Sequence, residues 1–137
     1  MTCGTQYKAA IFVNGVVDHR FLAALEQQHH SILFVTSQPM IMKNISAYGF
    51  DVFFLDLNAE INCEFAEEVR AEKIIIFENN CVESGLAIDF FNRHTVAPIV
   101  VVKRPRRFMP LIYHRTLGAA FVIYTNDDTK VSFLLAE

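Results

Sequence analysis

The chain has 137 residues, of which 53% are hydrophobic and 20% charged, and its formal net charge is −3. This length predicts one domain, and the slightly acidic balance excludes a general attraction to nucleic acid. No apolar run approaches the roughly 18–20 residues of a membrane-spanning helix, and Cys3, Cys63 and Cys81 are too widely spaced for a disulfide framework or a structural zinc site. The beginning of the chain resembles no secretion signal, so a cytoplasmic location is expected.

The first half of the chain alternates short apolar runs with amphipathic stretches. The runs predict three strands, at residues 9–13, 31–36 and 50–55. Asp18 is a favoured N-cap for a helix that extends to about residue 28. Pro39 stands near the start of a second helix, and Gly49 ends it. Continuous apolar runs of this length suit strands that are buried on both faces of a parallel sheet.

The second half continues this alternation and then departs from it. The pattern predicts helices at 59–72 and 83–93 and strands at 73–77 and 97–102. Two β-rich runs, at 118–125 and 130–135, flank a polar loop and predict an antiparallel hairpin. The predicted fold is α/β, with a doubly wound five-stranded parallel sheet and a C-terminal β-hairpin extension. We expect a single domain over residues 1–137, with its core at about 8–105 and a helix and hairpin at 106–137, as the N-terminal part of a longer regulator.

One strand end stands out because its apolar run finishes on a carboxylate. The segment Gly49-Phe50-Asp51-Val52-Phe53-Phe54-Leu55-Asp56-Leu57-Asn58 resembles the third strand of response-regulator receiver domains, which ends in the aspartate that accepts a phosphoryl group. The resemblance implies a flavodoxin/CheY-like sheet with Asp56 as the candidate phosphoacceptor. Lys103, after Val100-Val101-Val102, is similar to the lysine of that family, although Arg104 separates it from Pro105.

Other positions depart from the receiver pattern. The family carries an acidic pair that holds Mg²⁺ after its first strand, and this chain has Asn14-Gly15 there. The family carries Thr or Ser after its fourth strand, and this chain has Glu78. The resemblance therefore implies an atypical receiver, or pseudo-receiver, with Asn14, Gly15, Glu78 and Lys103 lining its site. It implies no catalytic residue, no metal site and no cofactor, with Mg²⁺ only if Asp56 is phosphorylated.

A basic run, Lys103-Arg104-Pro105-Arg106-Arg107, precedes an apolar segment. Arginine, methionine and aromatic residues are enriched at protein interfaces. The candidate interface residues are therefore Arg104, Arg106, Arg107, Phe108 and Tyr113. We expect protein partners, either an effector domain in the same chain or a second copy in a homodimer. Membrane contact is not expected, nor is nucleic-acid binding by this domain alone.

Three functions are compatible with these patterns. The first is a non-enzymatic receiver-like regulator, acting through protein contact or dimerisation in two-component signalling and transcription regulation. The second is a receiver that is phosphorylated at Asp56. The third is a small-ligand-binding or nucleotide-binding Rossmann-like domain, with its site over Asn14, Gly15, Asp56 and Glu78. No Gly-x-Gly-x-x-Gly follows the first predicted strand, so the usual phosphate-cradling backbone is missing.

Overall fold

A computed structural model describes residues 5–15, 17–56, 69–78, 81–103, 121–125 and 135. Its strands are β1 (Thr5–Tyr7), β2 (Ala9–Phe12), β3 (Ile32–Thr36), β4 (Asp51–Phe54), β5 (Val69–Ala71), β6 (Ile74–Phe77), β7 (Ile99–Lys103) and β8 (Phe121–Tyr124). Its helices are α1 (His19–Ala24), α2 (Pro39–Ser46) and α3 (Cys81–His94), with a 3₁₀ segment at Glu26–Ser31. Within these ranges no helix has the length and apolar character needed to cross a bilayer.

Six strands form one parallel sheet in the order β4-β3-β2-β6-β7-β8. The chain moves outward from β2 to β4, returns to β6 on the other side of β2, and continues outward to β8. The direction of progress along the sheet therefore reverses between β2 and β6. This is the strand order of a Rossmann-type sheet, and the reversal marks its topological switch point. β1 and β5 pair separately, also in parallel.

The receiver-type arrangement predicted from the sequence is wrong. A flavodoxin/CheY-like sheet has the order 2-1-3-4-5, which would place the strand before Asp56 next to the first core strand. In the structure that strand, β4, lies at the edge of the sheet beside β3, and the sheet has six strands rather than five. The physical reason is that an apolar run indicates a buried strand without specifying its neighbours, and right-handed crossovers are compatible with both orders.

One further local prediction is wrong in part, and another is not tested. The predicted antiparallel hairpin is not tested, because residues 126–134 lie outside the described part of the chain. Its first run contains β8, which pairs in parallel with β7 and adds the sixth strand to the sheet. The helix predicted over 59–72 is contradicted at its end by β5, while residues 57–68 lie outside the described part of the chain. Of the second predicted hairpin strand, the structure describes only Leu135, which is buried.

The core has two halves, one on each face of the six-stranded sheet. Alternate residues of β2 separate them: Ala10 and Phe12 belong to the half that contains the buried face of α3, and Ala9 and Ile11 to the half that contains residues of α1 and α2. Helices on both faces confirm the doubly wound character predicted from the apolar runs. Each fully buried large side chain contributes about 1.5–3 kcal/mol, so these layers hold the carboxyl ends of the strands in fixed positions.

Candidate ligand-binding site

The carboxyl ends of four neighbouring strands bring polar residues into one row. Continuing the observed register beyond the strand ends places Asn14 level with Ser37 on one side and Glu78 on the other, and Glu78 level with Lys103. Asn14 and Glu78 therefore flank the switch point between β2 and β6. In open α/β sheets, ligands bind in the crevice at this point. We call this place the switch-point crevice.

The Asn14 side chain joins the end of β2 to the end of β3. Its Nδ2 donates to Ser37 Oγ at 2.6 Å, while Thr36 Oγ1 and the Ser37 amide each donate to its Oδ1 at 2.9 Å. Thr36 Oγ1 also accepts from the Gln38 amide at 3.1 Å, just before α2 begins. Asn14 is 6% exposed and Thr36 is fully buried. Buried polar groups are stable only when hydrogen-bonded, and this network satisfies both.

The amino end of α1 is capped by a carboxylate of the chain itself, that of Asp18. Asp18, the N-cap predicted from the sequence, accepts a hydrogen bond from the Arg20 amide at 2.9 Å. The Arg20 side chain also bonds both carboxylate oxygens, with Nη2 at 2.9 Å from Oδ2. The Arg20 guanidinium, and after it the Arg20 amide, hold the pKa of Asp18 below its usual value. The positive end of this six-residue helix is thus already matched by a negative charge.

Two buried polar side chains lie on the other side of the switch point. Glu78 directly follows β6, is 8% exposed, and donates its amide to Val102 O at 3.0 Å. Ser84 is 1% exposed, and within the described part of the chain its Oγ has no hydrogen-bond partner. Helical spacing puts Ser84 on the buried face of α3 with Ala87 and Ile88. Because α3 follows β6 and packs back over it, Ser84 stands at the carboxyl edge of the sheet.

The predicted receiver constellation does not assemble. Asp56 is exposed and follows β4 at the sheet edge. Four strand spacings separate β4 from β7, which is about 19 Å, so Asp56 and Lys103 do not form the pair that the resemblance implied. Asn14 and Glu78 do come together, and the partly buried Gly15 follows Asn14. The reason is the strand order, which puts β3 and β2 between β4 and β6.

Other predicted residues are placed only in part or not at all. Lys103 is the last residue of β7, and its backbone is in register with Tyr124 of β8. The candidate interface residues Arg104, Arg106, Arg107, Phe108 and Tyr113 lie outside the described residues. In the part of the chain that is described, no group of three or more His, Cys, Asp or Glu residues has the geometry of a metal site.

Thr36, Ser37 and Ser84 were missed from the sequence. The signal for Thr36 and Ser37 is their position, because polar residues directly after a buried strand reach the functional edge of a parallel sheet. Ser84 gives a weaker signal. It is the one polar member of an otherwise apolar helical face, together with Ala87, Ile88 and Phe91, and such a position is more often filled by a packing residue.

No protein-family model and no curated protein sequence matches the chain. Solved structures do match it. The TrkA-N domain of the inner membrane protein ybaL from Escherichia coli has 15% identity and a TM-score of 0.64, with 99% of this chain and 98% of that chain covered. The NAD(P)-binding domain of an exopolyphosphatase-related protein from Archaeoglobus fulgidus has 14% identity and a TM-score of 0.61, with 93% and 95% covered. The GsuK channel bound to NAD has 18% identity and a TM-score of 0.62, with 87% of this chain but 21% of that chain covered.

These similarities overturn the assignment to response regulators and two-component signalling, because the matching structures are TrkA-N, NAD(P)-binding and RCK domains. The strand order, which is that of a Rossmann-type sheet, independently contradicts a receiver-type sheet. At these levels of identity the similarity shows the fold and leaves the activity open. The chain therefore has a Rossmann-like α/β fold, similar to that of TrkA-N and RCK domains.

Proposed function

We propose that the chain is a non-enzymatic regulatory domain that binds a small ligand of the nucleotide class in the switch-point crevice. The observation that carries the proposal is the reversal of strand order between β2 and β6, with buried Asn14 and Glu78 on its two sides. Ligands of doubly wound sheets bind at this position. Structures of the same fold include one described as an NAD(P)-binding domain and one channel bound to NAD, which supports a ligand of this class.

The residues present do not fit a dinucleotide bound in the usual way. That mode uses Gly-x-Gly-x-x-Gly after the first strand and an acidic residue about 20 residues further on, which bonds the ribose. Here the sequence that follows β2 is Val13-Asn14-Gly15-Val16-Val17-Asp18, with a single glycine. Thr36 ends β3, and its hydroxyl is bonded to Asn14. We therefore propose a nucleotide-class ligand without assigning NAD(P) as a resident cofactor.

Regulation requires a partner that responds to occupancy of the crevice. We propose that this partner is an effector region of the same polypeptide or a second copy of the domain. The GsuK match supports such an arrangement by analogy only, because this chain covers 21% of that channel. Light scattering after size-exclusion chromatography, with and without a bound nucleotide, measures whether occupancy changes the association state.

An amide-resolved NMR titration tests ligand binding directly. The panel contains adenosine, guanosine, AMP, ADP, ATP, NAD⁺ and NADP⁺, each added separately to the full chain. We expect at least one compound to cause saturable shifts at the backbone amides around Asn14, Ser37 and Glu78. The substitution Val96→Ser, at a fully exposed position, serves as a control that should bind as the unmodified chain does. The proposal fails if no compound saturates, or if the shifts are confined to the opposite, amino-terminal edge of the sheet.

A further inference from the structure

We infer that the chain has a second ligand site, a polar cavity at the amino-terminal edge of the sheet, which takes a small ligand carrying a primary carboxamide group. The inference goes beyond the proposed function, because this cavity lies at the opposite ends of the strands from the switch-point crevice. Two observations lead to it. The cavity has a volume of about 490 Å³, and a glutamine in its wall has a buried side-chain oxygen with no hydrogen-bond partner among the described residues.

The cavity lies where three neighbouring strands begin. Lys8 directly precedes β2, and its amide donates to Ser31 O, just before β3, at 2.7 Å. On the other side, the Glu72 amide donates to Tyr7 O at 3.1 Å. Continuing the register of β2 and β6 places Glu72 level with Lys8. Ser31, Lys8 and Glu72 therefore form a row across the amino edge of the sheet, and all three line the cavity. We call it the amino-edge cavity.

The 3₁₀ segment and Leu135 add to the lining. Gln27 and Gln28 line the cavity from the 3₁₀ segment, and the Ser31 hydroxyl donates to Gln28 O at 3.0 Å. Leu135 is fully buried, and its carbonyl accepts from Lys8 Nζ at 3.0 Å. Segments that are distant in sequence are thus tied together around the cavity. Its volume lies within the range of about 300–1,000 Å³ that is usual for small-molecule sites.

The side-chain amide of Gln28 is incompletely paired. Its Oε1 is buried, and no described residue donates to it, although buried amide oxygens are normally hydrogen-bonded. The oxygen and the NH₂ group of a glutamine amide have nearly the same shape, so rotation about the terminal bond exchanges their positions. A group that both donates and accepts satisfies the amide in either orientation. Leaving a buried polar atom unpaired costs free energy, and a ligand that pairs with it recovers this cost on binding.

A primary carboxamide matches the lining better than an acid does. Lys8 and Glu72 have opposite charges, so the described lining carries no net charge. The amides of Gln27 and Gln28 can each pair with a carboxamide through one donated and one accepted hydrogen bond. The NH₂ group of the ligand supplies two donors for acceptors such as Gln28 Oε1 and the Glu72 carboxylate, whereas an ionised acid supplies none. Sites that bond an N–H group discriminate strongly against an analogue that lacks it.

An amide-resolved NMR titration of the full chain tests the inference with three matched pairs: L-glutamine and L-glutamate, L-asparagine and L-aspartate, and nicotinamide and nicotinate. We expect at least one amide to cause saturable shifts at the backbone amides of Lys8, Gln28 and Ser31. It should bind at least about tenfold more tightly than its own acid. The inference is overturned if no amide saturates, if the acid of the best-binding amide binds as tightly, or if the shifts are confined to the switch-point crevice. The nucleotide titration reports on that crevice, so the two proposals can fail separately.

Gln28→Met separates recognition from stability. The variant has a similar shape and removes the unpaired oxygen, so the melting temperature should stay constant or rise, while amide binding weakens at least about fivefold. Gln38→Met makes the same change at an exposed position at the other edge of the sheet, and it should bind as the unmodified chain does. Glu72→Met, also at an exposed position, removes the second acceptor and should weaken amide binding as well. Unchanged amide binding in Gln28→Met or in Glu72→Met would overturn the inference.

Discussion

Replacing Asn14 by alanine tests the network that joins the ends of β2 and β3. The substitution removes three hydrogen bonds, to Thr36 Oγ1, the Ser37 amide and Ser37 Oγ. Ser37 is partly exposed, so water can replace its lost partners. Thr36 is fully buried, so its hydroxyl loses its acceptor without compensation. The two bonds to Ser37 cost about 1 kcal/mol each and the stranded hydroxyl about 1–3 kcal/mol, which predicts a total cost of about 3–5 kcal/mol.

Urea denaturation followed by circular dichroism measures this cost, provided that the transition is two-state. For a chain of this length we expect the melting temperature to fall by roughly 10 °C. Ser37→Ala is the matched control, because it removes only the bond that Ser37 Oγ accepts from Asn14 Nδ2 and leaves the Thr36 bond intact; it should cost about 1–2 kcal/mol, less than Asn14→Ala. A double-mutant cycle with Thr36→Val should give a coupling energy of about 1 kcal/mol, because the two side chains are in direct contact.

If Asn14→Ala cost no more than Ser37→Ala, with the same urea dependence, the buried Thr36 hydroxyl would not depend on Asn14. The two strand ends would then be fixed by backbone pairing alone, through bonds such as that from the Val13 amide to Val35 O.

Three further predictions concern stability. The pKa of Asp18 is lowered in the folded chain, so its ionised form stabilises the fold above its usual pKa, and this contribution is lost as the pH falls through the lower folded-state pKa. The stability advantage of the unmodified chain over Asp18→Asn should therefore shrink from pH 7 to pH 3, and equal differences in urea midpoint at the two pH values would contradict this. Phe91→Ala should cost about 3–5 kcal/mol in urea denaturation because it opens a cavity under α3, whereas Val96→Ala, at an exposed position, should change stability by at most about 0.5 kcal/mol. Gly49→Ala should cost about 1 kcal/mol or more in the same assay because Gly49 has a φ of 90°, and Gly49→Asn should cost less because asparagine tolerates positive φ better.

The sequence was informative about the elements and uninformative about their order. β2, β3 and β6 are fully buried on both faces, so their continuous apolar runs were readily recognised. The run in β4 looked the same, yet this strand lies at the edge and Phe54 is 44% exposed. Which strand lies beside which is decided by long-range packing that no local window records. Topology could therefore not be obtained from the apolar pattern, and the receiver interpretation depended on it.

The sequence predicted those residues of the candidate site that directly follow a buried strand. Asn14 and Glu78 were chosen because they follow buried strands, and the structure brings both to the switch point. Asp56 was chosen for the same reason but lies at the far edge. Ser84 was missed because its distinguishing feature is a buried hydroxyl for which the described residues provide no hydrogen-bond partner. Whether a side chain finds a hydrogen-bond partner is decided by the tertiary structure, so the local sequence pattern does not indicate it.

The central position of β2 has a consequence for the order of events during folding. Its pairing with β3 uses residues close in sequence, such as Ala10 with Leu33, whereas its pairing with β6 joins Ala10 to the distant Ile74. Closing a long loop costs more chain entropy than closing a short one, and proteins dominated by distant contacts fold slowly. The half-sheet of β2, β3 and β4 can therefore form as the nascent chain leaves the ribosome. β6, the strand on the other side of the switch-point crevice, is synthesised later and completes the crevice.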